Sequence, residues 1–245
     1  MTLQDGMRHI NFAPQKALNM KRKELNMKRI LVYVLFATGI MPALYAQGEG
    51  KEKRIIVSGG PLIEMNATGF IHSGFTDGNS SMKTGFSAGG FVNFGLSEQF
   101  SVQGALSFQY RHSEFGWEHS GGCYRYWGVE IPVYAMYRYT FTNGSGIHVG
   151  IGPYTNFGLD ATFRTANGKM DLYEKDKDTG LPPMKDSDTG FGIKAGYEFP
   201  YGLQLNVSFK ASVTNLIDTN SSKVKMRPMT IGAGVAYRFG KKGGK

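Results

Sequence analysis

The amino-acid sequence predicts an all-β fold, an eight-stranded antiparallel up-and-down transmembrane β-barrel. Three observations support this prediction. Apolar and polar residues alternate over about eight segments, the connections between the segments are alternately long and short, and glycines concentrate on the polar side of the alternation. These patterns are typical of barrels that cross an outer membrane with strands.

The first 46 residues differ in character from the rest of the chain. Lys28 and Arg29 precede an apolar stretch at 30–40, and the small residue Ala46 offers a cleavage position. A membrane anchor is the alternative, but the apolar stretch is short for a span. Met1, Met20 and Met27 are alternative translation starts. We predict an upstream extension at 1–26, a signal peptide at 27–46, a periplasmic segment at 47–57, a barrel at 58–240 and a basic tail at 241–245.

The first 46 residues account for much of the net positive charge. The chain has 28 basic and 19 acidic residues, which give a formal net charge of +9. Residues 1–46 hold seven of the basic and two of the acidic residues, so residues 47–245 carry a net charge of +4. So small an excess does not predict nucleic-acid binding. Cys123 is the only cysteine, which excludes an intramolecular disulfide.

The alternation is clearest at 203–213, LQLNVSFKASV, where every second residue from Leu203 to Val213 is apolar and the residues between are polar. Successive side chains of a strand point to opposite faces, so this strand has one apolar and one polar face. About 9 to 11 residues suffice for a tilted strand to cross a bilayer. Similar segments lie at 62–73, 85–97, 100–110, 127–141, 147–163, 190–199 and 229–239.

The connections between these segments are alternately long and short. Those near 97–99, 142–146 and 200–202 are short, whereas the others are long and lie near 74–84, 113–123, 165–188 and 215–227. Outer-membrane barrels have tight periplasmic turns and longer extracellular loops. The connection lengths therefore favour a membrane barrel.

The glycines indicate which face of the strands points inward. In a soluble periplasmic barrel with an apolar ligand cavity, which is the alternative, the bulky apolar residues would face the interior. An eight-stranded barrel has room inside for little more than packed side chains, so small residues are expected there. The polar side of the alternation carries Gly128, Gly150, Gly152, Gly158, Gly192, Gly196, Gly232 and Gly234. This distribution favours a polar lumen surrounded by lipid.

The same assignment places charged side chains inside the barrel. Buried charges persist when they are paired, because desolvating a lone ion costs several kcal/mol. A charge network that fills the lumen is the expected arrangement, and a narrow ion or proton path is the alternative. The predicted lumen residues are Glu64, Glu130, Asp160, Glu198, Arg111, Arg138, Lys194, Lys210 and Arg238.

No catalytic, cofactor-binding or metal-binding residue is predicted. His148 falls on the inward side, and His72 and His112 lie near outer strand ends, but none belongs to a recognisable catalytic constellation. The segments DKDTG at 176–180 and DSDTG at 186–190 have carboxylates spaced as in calcium loops. They lack the full calcium-binding pattern, so a solvated acidic loop is expected.

Aromatic residues and prolines complete the strand pattern. Pro132 and Pro153 are predicted to mark bulges, because proline interrupts the hydrogen bonding of a sheet. Aromatic residues near strand ends fit the girdles of membrane barrels at the two interfaces. The residues assigned to these girdles are Trp117, Tyr124, Tyr126, Trp127, Tyr137, Tyr139, Phe141, Tyr201 and Tyr237.

Several segments, taken in order, carry a family resemblance. They are GFSAGGFVNFGLSEQFSVQGALSFQY (85–110), WGVEIPVYAMYRY (127–139), GIGPY (150–154), TGFGIKAGYEF (189–199), VTNLID (213–218) and VAYRFG (235–240). From about residue 58 onward the chain resembles the porin-like outer membrane β-barrel family of Bacteroides-type bacteria, to which the PorT-like proteins belong. The resemblance implies the fold and an outer-membrane location. The chain departs from many such barrels in its end, since Phe239 is followed by GKKGGK instead of closing on an aromatic residue.

The leading functional hypothesis is a small outer-membrane barrel with a filled lumen and a structural or loop-mediated binding role. The alternatives are a subunit of a secretion or envelope-assembly machine, as the PorT-like resemblance allows, and an outer-membrane enzyme. We expect no enzymatic activity and no cofactor. The expected partners are outer-membrane lipid, the barrel-assembly machinery during insertion and an unidentified envelope protein.

Overall fold

The computed structural model describes residues 56–73, 79–117, 120–165, 168–174, 184–217 and 225–240, together with Lys28. The predicted signal peptide, apart from Lys28, and the predicted tail lie outside these residues. Among the described residues, no helix has both the length and the apolar character needed to cross a membrane. The strands are β1 Ile56–Ser73, β2 Asn79–Gly95, β3 Phe100–Trp117, β4 Ser120–Thr140, β5 Gly146–Thr165, β6 Gly168–Asp171, β7 Ser187–Glu198, β8 Leu203–Ser212 and β9 Lys225–Tyr237.

Eight of these strands close into an antiparallel barrel, as predicted. β1 pairs with both β2 and β9, and β4 pairs with both β3 and β5, so the sheet has no free edge around the ring. β5 continues the ring through β7, while the short β6 pairs only with residues 162–165 of β5. Closure matters because an open edge would leave unpaired backbone groups in lipid.

Burial along the strands is the reverse of that in a soluble protein. In β8 the polar residues from Gln204 to Ser212 are buried, whereas Leu205, Val207 and Phe209 are exposed. The exposed fraction of Val207 is 57%. The strand LQLNVSFKASV therefore directs its apolar side outward, which suits a wall surrounded by lipid.

One end of the barrel is built from three tight turns. Gly144 and Gly202 adopt positive φ values of 81° and 97°, which favour glycine. The turn before β3 is closed by the Ser97 hydroxyl, which accepts a hydrogen bond from Phe100 N at 2.9 Å. We call this the turn end, and the opposite end, where the longer connections lie, the loop end.

At the loop end the strands extend further than predicted. Residues 113–123, predicted as a loop, are almost wholly strand, and β3 and β4 pair as far as Trp117 and Ser120. The polar composition of this segment reflects a change from lipid to water around the barrel, and it does not mark the end of the strands. Polar composition alone therefore predicted a loop that is too long at both ends.

The prolines do not produce the predicted bulges. Pro132 lies opposite Tyr154 and Pro153 opposite Phe191, and the register is the same on both sides of each. The register shifts lie elsewhere, between Lys83 and Phe86 in β2 and beside Trp127 in β4. Each proline is accommodated by the loss of its own hydrogen bond donor, without an inserted residue.

Candidate functional site

The centre of the lumen holds a lysine between two carboxylates from distant strands. Lys210 Nζ of β8 lies 2.6 Å from Glu130 Oε1 of β4 and 3.3 Å from Glu64 Oε1 of β1. Ser208 donates a hydrogen bond to the other oxygen of Glu64 at 2.9 Å. The three charged groups thus satisfy one another in a space that solvent barely reaches.

Arg111 of β3 continues this network toward the loop end. Its Nη2 lies 3.6 Å from Glu130 Oε2, and its Nη1 lies 3.4 Å from Asp188 Oδ2 of β7. Gln109 accepts a hydrogen bond from Arg111 Nε at 2.9 Å, and Asn156 donates one to Asp188 Oδ1 at 2.6 Å. We call this group the central network; its charged members are Glu64, Glu130, Asp188, Arg111 and Lys210.

A separate cluster lies near the turn end. Glu198 Oε1 accepts hydrogen bonds from Arg138 Nη2 at 2.8 Å and from Arg238 Nη2 at 2.5 Å. Gln204 Nε2 donates to Glu198 Oε2 at 2.8 Å. This turn-end cluster of Arg138, Glu198 and Arg238 has one more positive than negative charge, and its arginines are the more exposed members.

Two further inward groups lie between the network and the cluster. Lys194 Nζ donates to Gln103 Oε1 at 3.2 Å and lies over the Phe91 ring, 5.8 Å from its centroid. His148 is buried, and its Nε2 lies 2.8 Å from Asn206 Oδ1. With Lys194, the lumen around the central network holds three positive and three negative groups.

The sequence prediction was wrong for Asp160. It was assigned to the lumen, but it is exposed and lies opposite Trp127 on the outer wall. The cause is a bulge in β5: Trp127 pairs with Asp160 and Gly128 pairs with Gly158, so Leu159 is an extra residue. An inserted residue exchanges the faces of all residues that follow it.

Asp188 is a charged lumen residue that was not among those predicted. It was assigned to a solvated acidic loop with Asp186, yet it lies in β7 and is only 4% exposed. The sequence does indicate its inward position, because Asp188 is an even number of residues from the inward residues Lys194 and Glu198. The other acidic segment, at 176–180, lies outside the described residues.

An apolar cluster covers the network at the loop end. Tyr173 and Leu216 come from the connections, and Leu172 N donates to Ala161 O at 2.9 Å, which returns this segment to β5. The Arg111 guanidinium lies 5.3 Å from the centroid of the Tyr126 ring and so joins the network to this layer. We call the layer the outer lid; its buried residues are Phe70, Tyr124, Tyr126, Ala161, Leu172, Tyr173, Met184 and Leu216.

The lid depends on a close approach between a ring and a strand. A Cβ atom added to Gly158 would lie 1.9 Å from Tyr173 Oη and 2.6 Å from Tyr173 Cζ. Burial raises the pKa of the Tyr173 hydroxyl well above its usual value. The hydroxyl therefore stays neutral in the apolar layer.

The lid also corrects part of the aromatic assignment. Tyr124 and Tyr126, predicted for a girdle, are 3% and 5% exposed inside the mouth of the barrel. Trp127 does face outward and lies 4.7 Å from the Tyr110 ring, while the side chain of Trp117 lies outside the described residues. The assigned residues exposed around the turn end are Tyr137, Tyr139, Phe141, Tyr201 and Tyr237.

Several solved structures are similar to this chain at low sequence identity. The attachment invasion locus protein Ail of Yersinia pestis, crystallised with the heparin analogue sucrose octasulfate, is 15% identical over 75% of this chain and 99% of its own, with a TM-score of 0.40. Neisserial surface protein A is 13% identical over 74% of this chain and 99% of its own, with a TM-score of 0.40. OprG of Pseudomonas aeruginosa is 12% identical over 74% and 97% of the two chains, with a TM-score of 0.42.

No curated protein matches the sequence. The family model described as the outer membrane protein beta-barrel domain matches residues 36–239, which is most of the sequence. The chain belongs to this family, and it is an outer-membrane protein.

Proposed function

We propose that the protein is a small structural barrel that presents its extracellular end for binding and does not conduct solutes. The observation that carries the proposal is the burial of the central network. Arg111, Glu130 and Lys210 are 3%, 2% and 6% exposed. A water-filled channel would expose the charged side chains that line it. Eight strands also leave little space beyond packed side chains.

Conductance in planar lipid bilayers tests this proposal. We expect the wild-type protein to insert without a large, steady conductance. A variant with Arg111→Ser and Glu130→Ser in the network and Tyr126→Ala in the lid should conduct, because it loses large side chains at both levels. A matched control with Lys83→Ser and Glu114→Ser removes an exposed ion pair and should stay closed. A large, steady wild-type current would contradict the proposal.

The alternative is a PorT-like protein, which would make this chain a subunit of a secretion or envelope-assembly machine. The segment VTNLID, which contributes to this resemblance, has a structural role in the barrel. Asn215 Oδ1 accepts a hydrogen bond from Met226 N at 2.8 Å, and Leu216 is buried in the lid. The structural role explains the presence of this segment, and no partner protein is needed to explain it. We therefore favour the structural and binding function.

A deletion strain separates these two functions. Loss of secreted proteins from the medium would support the machine subunit, whereas normal secretion with a weakened envelope would support the structural role. Crosslinking in intact cells, followed by purification of the barrel, would identify a partner bound at the extracellular end.

We also propose that the protein has no enzymatic activity. The support is that His148, the inward histidine, has its Nε2 in contact with the Asn206 amide oxygen at 2.8 Å. The amide of Asn206 is not a nucleophile, so this contact does not form a nucleophile–base pair at Nε2. A hydrolytic activity that survives purification and is lost in His148→Ala would contradict this proposal.

A further inference from the structure

A histidine, a glutamate and a cysteine meet on the outer wall, away from the lumen. His112 and Glu114 lie two residues apart on β3, and Cys123 lies directly opposite Glu114 on β4. Residues two apart on a strand share a face, and opposite residues are neighbours across the sheet. Their ligand atoms all lie within 4.8 Å of one another, and His112 Nε2 is 2.8 Å from Cys123 Sγ.

The position of this group on the wall makes it accessible from outside the cell. Toward the turn end, the same two strands carry the outward residues Tyr110 and Trp127, which lie opposite each other with their rings 4.7 Å apart. Such aromatic residues lie at the interface of a membrane barrel. Counted along the outward face, His112 lies one position beyond this pair toward the loop end, and Glu114 and Cys123 lie two positions beyond it. The loop end is the extracellular end.

From this arrangement we propose that His112, Glu114 and Cys123 bind a thiophilic divalent cation of the Zn²⁺ type. Imidazole, thiolate and carboxylate are the protein ligands of Zn²⁺, and three of them with one water complete a tetrahedral site. Both strands are held by continuous pairing on either side of the site, so the three ligands are positioned by a rigid scaffold.

The surrounding charges favour a metal that is bound through specific ligands. Lys83 Nζ lies 2.9 Å from Glu114 Oε2, and Arg125 and Arg164 are exposed in register with His112 and Cys123. These cations disfavour an ion held by charge alone, such as Ca²⁺ or Mg²⁺. Metals that prefer sulfur and nitrogen ligands bind strongly enough to displace the exposed Lys83 ion pair, which contributes about 0–1 kcal/mol.

Metal titration of the protein extracted from the membrane in detergent, without a polyhistidine tag, tests the proposal. We expect one equivalent of Zn²⁺ to bind, measured by competition with a chromophoric chelator, and release of the Cys123 thiol proton on binding. Co²⁺ used as a probe should give a thiolate-to-metal charge-transfer band. Ca²⁺ at the same concentration should not compete.

The variants separate this site from other sources of binding. Cys123→Ser should abolish the charge-transfer band. Loss of a residue that only hydrogen-bonds a metal ligand weakens metal binding by roughly 10- to 100-fold, and His112→Ala, which removes a ligand itself, should weaken Zn²⁺ binding by more than that. Glu114→Gln should weaken binding, Lys83→Met should preserve or strengthen it, and His148→Gln should leave it unchanged. Heat-modifiable gel mobility would verify that each variant is folded. Absence of Zn²⁺ binding at micromolar concentration, or wild-type binding by folded Cys123→Ser, would overturn the proposal.

Discussion

Lys210 of β8 reaches across the lumen to Glu130 of β4, with Nζ and Oε1 2.6 Å apart. Neither strand is adjacent to the other in the ring, so the pair joins opposite parts of the wall. The pair between Lys83 and Glu114 is nearly as short, at 2.9 Å, but both of its side chains are exposed. Burial distinguishes the two pairs far more than the difference in distance does.

The first prediction concerns the loss of the central lysine. Lys210→Met leaves Glu64 and Glu130 without their shared cation, and breaking a buried pair typically costs about 3–5 kcal/mol. We expect a decrease of that size in the free energy of unfolding, measured by urea titration in lipid vesicles. Lys83→Met, the matched control, should change it by about 0–1 kcal/mol.

A second substitution distinguishes lost charge balance from lost packing. Adding Glu130→Gln to Lys210→Met leaves two positive and two negative groups in the lumen, with Lys194 included. We expect the double variant to regain at least half of the lost stability. A double variant less stable than Lys210→Met would show that packing around the lysine stem dominates.

The second prediction concerns the turn-end cluster. Glu198→Gln removes the carboxylate that holds Arg138 and Arg238 together, both of which lie within 2.8 Å of its Oε1. The two guanidinium groups then repel each other, and we expect lower stability at low salt. Because both arginines are partly exposed, chloride should screen them and restore stability. A salt response equal to that of the wild type would contradict this explanation.

The third prediction concerns the outer lid. Gly158→Ala places a methyl group against the Tyr173 ring, and overpacking typically costs about 1–3 kcal/mol. Gly104→Ala is the matched control, because nothing lies within 4 Å of an added Cβ atom there. Unfolding in urea should show a loss for Gly158→Ala and little change for Gly104→Ala. Equal effects would show that strand propensity, and not the lid contact, is being measured.

Alternation predicted the eight strands, since a period of two fixes which side chains share a face. The connection lengths and the glycines were also needed to predict that these strands close into a membrane barrel. Together these patterns also predicted that Lys210 would face the lumen and that Val207 would face outward. Asp160 could not be placed correctly, because the bulge at Leu159 depends on pairing with β4, which no local pattern records. The lid was missed because Tyr124 and Tyr126 are buried by residues from distant connections, such as Leu216.

The last prediction tests which residues lie at mid-membrane depth. Val207 and Val213 are 57% and 55% exposed, but Val207 lies in the middle of β8 and Val213 lies just beyond its outer end. In lipid vesicles, Val207→Arg should cost about 2–4 kcal/mol and Val213→Arg only about 0–1 kcal/mol, because the cost of a charge falls toward the interface. Urea unfolding of both variants measures this difference. Equal costs would mean that Val207 is not surrounded by hydrocarbon, and the depth assigned to β8 would then be wrong.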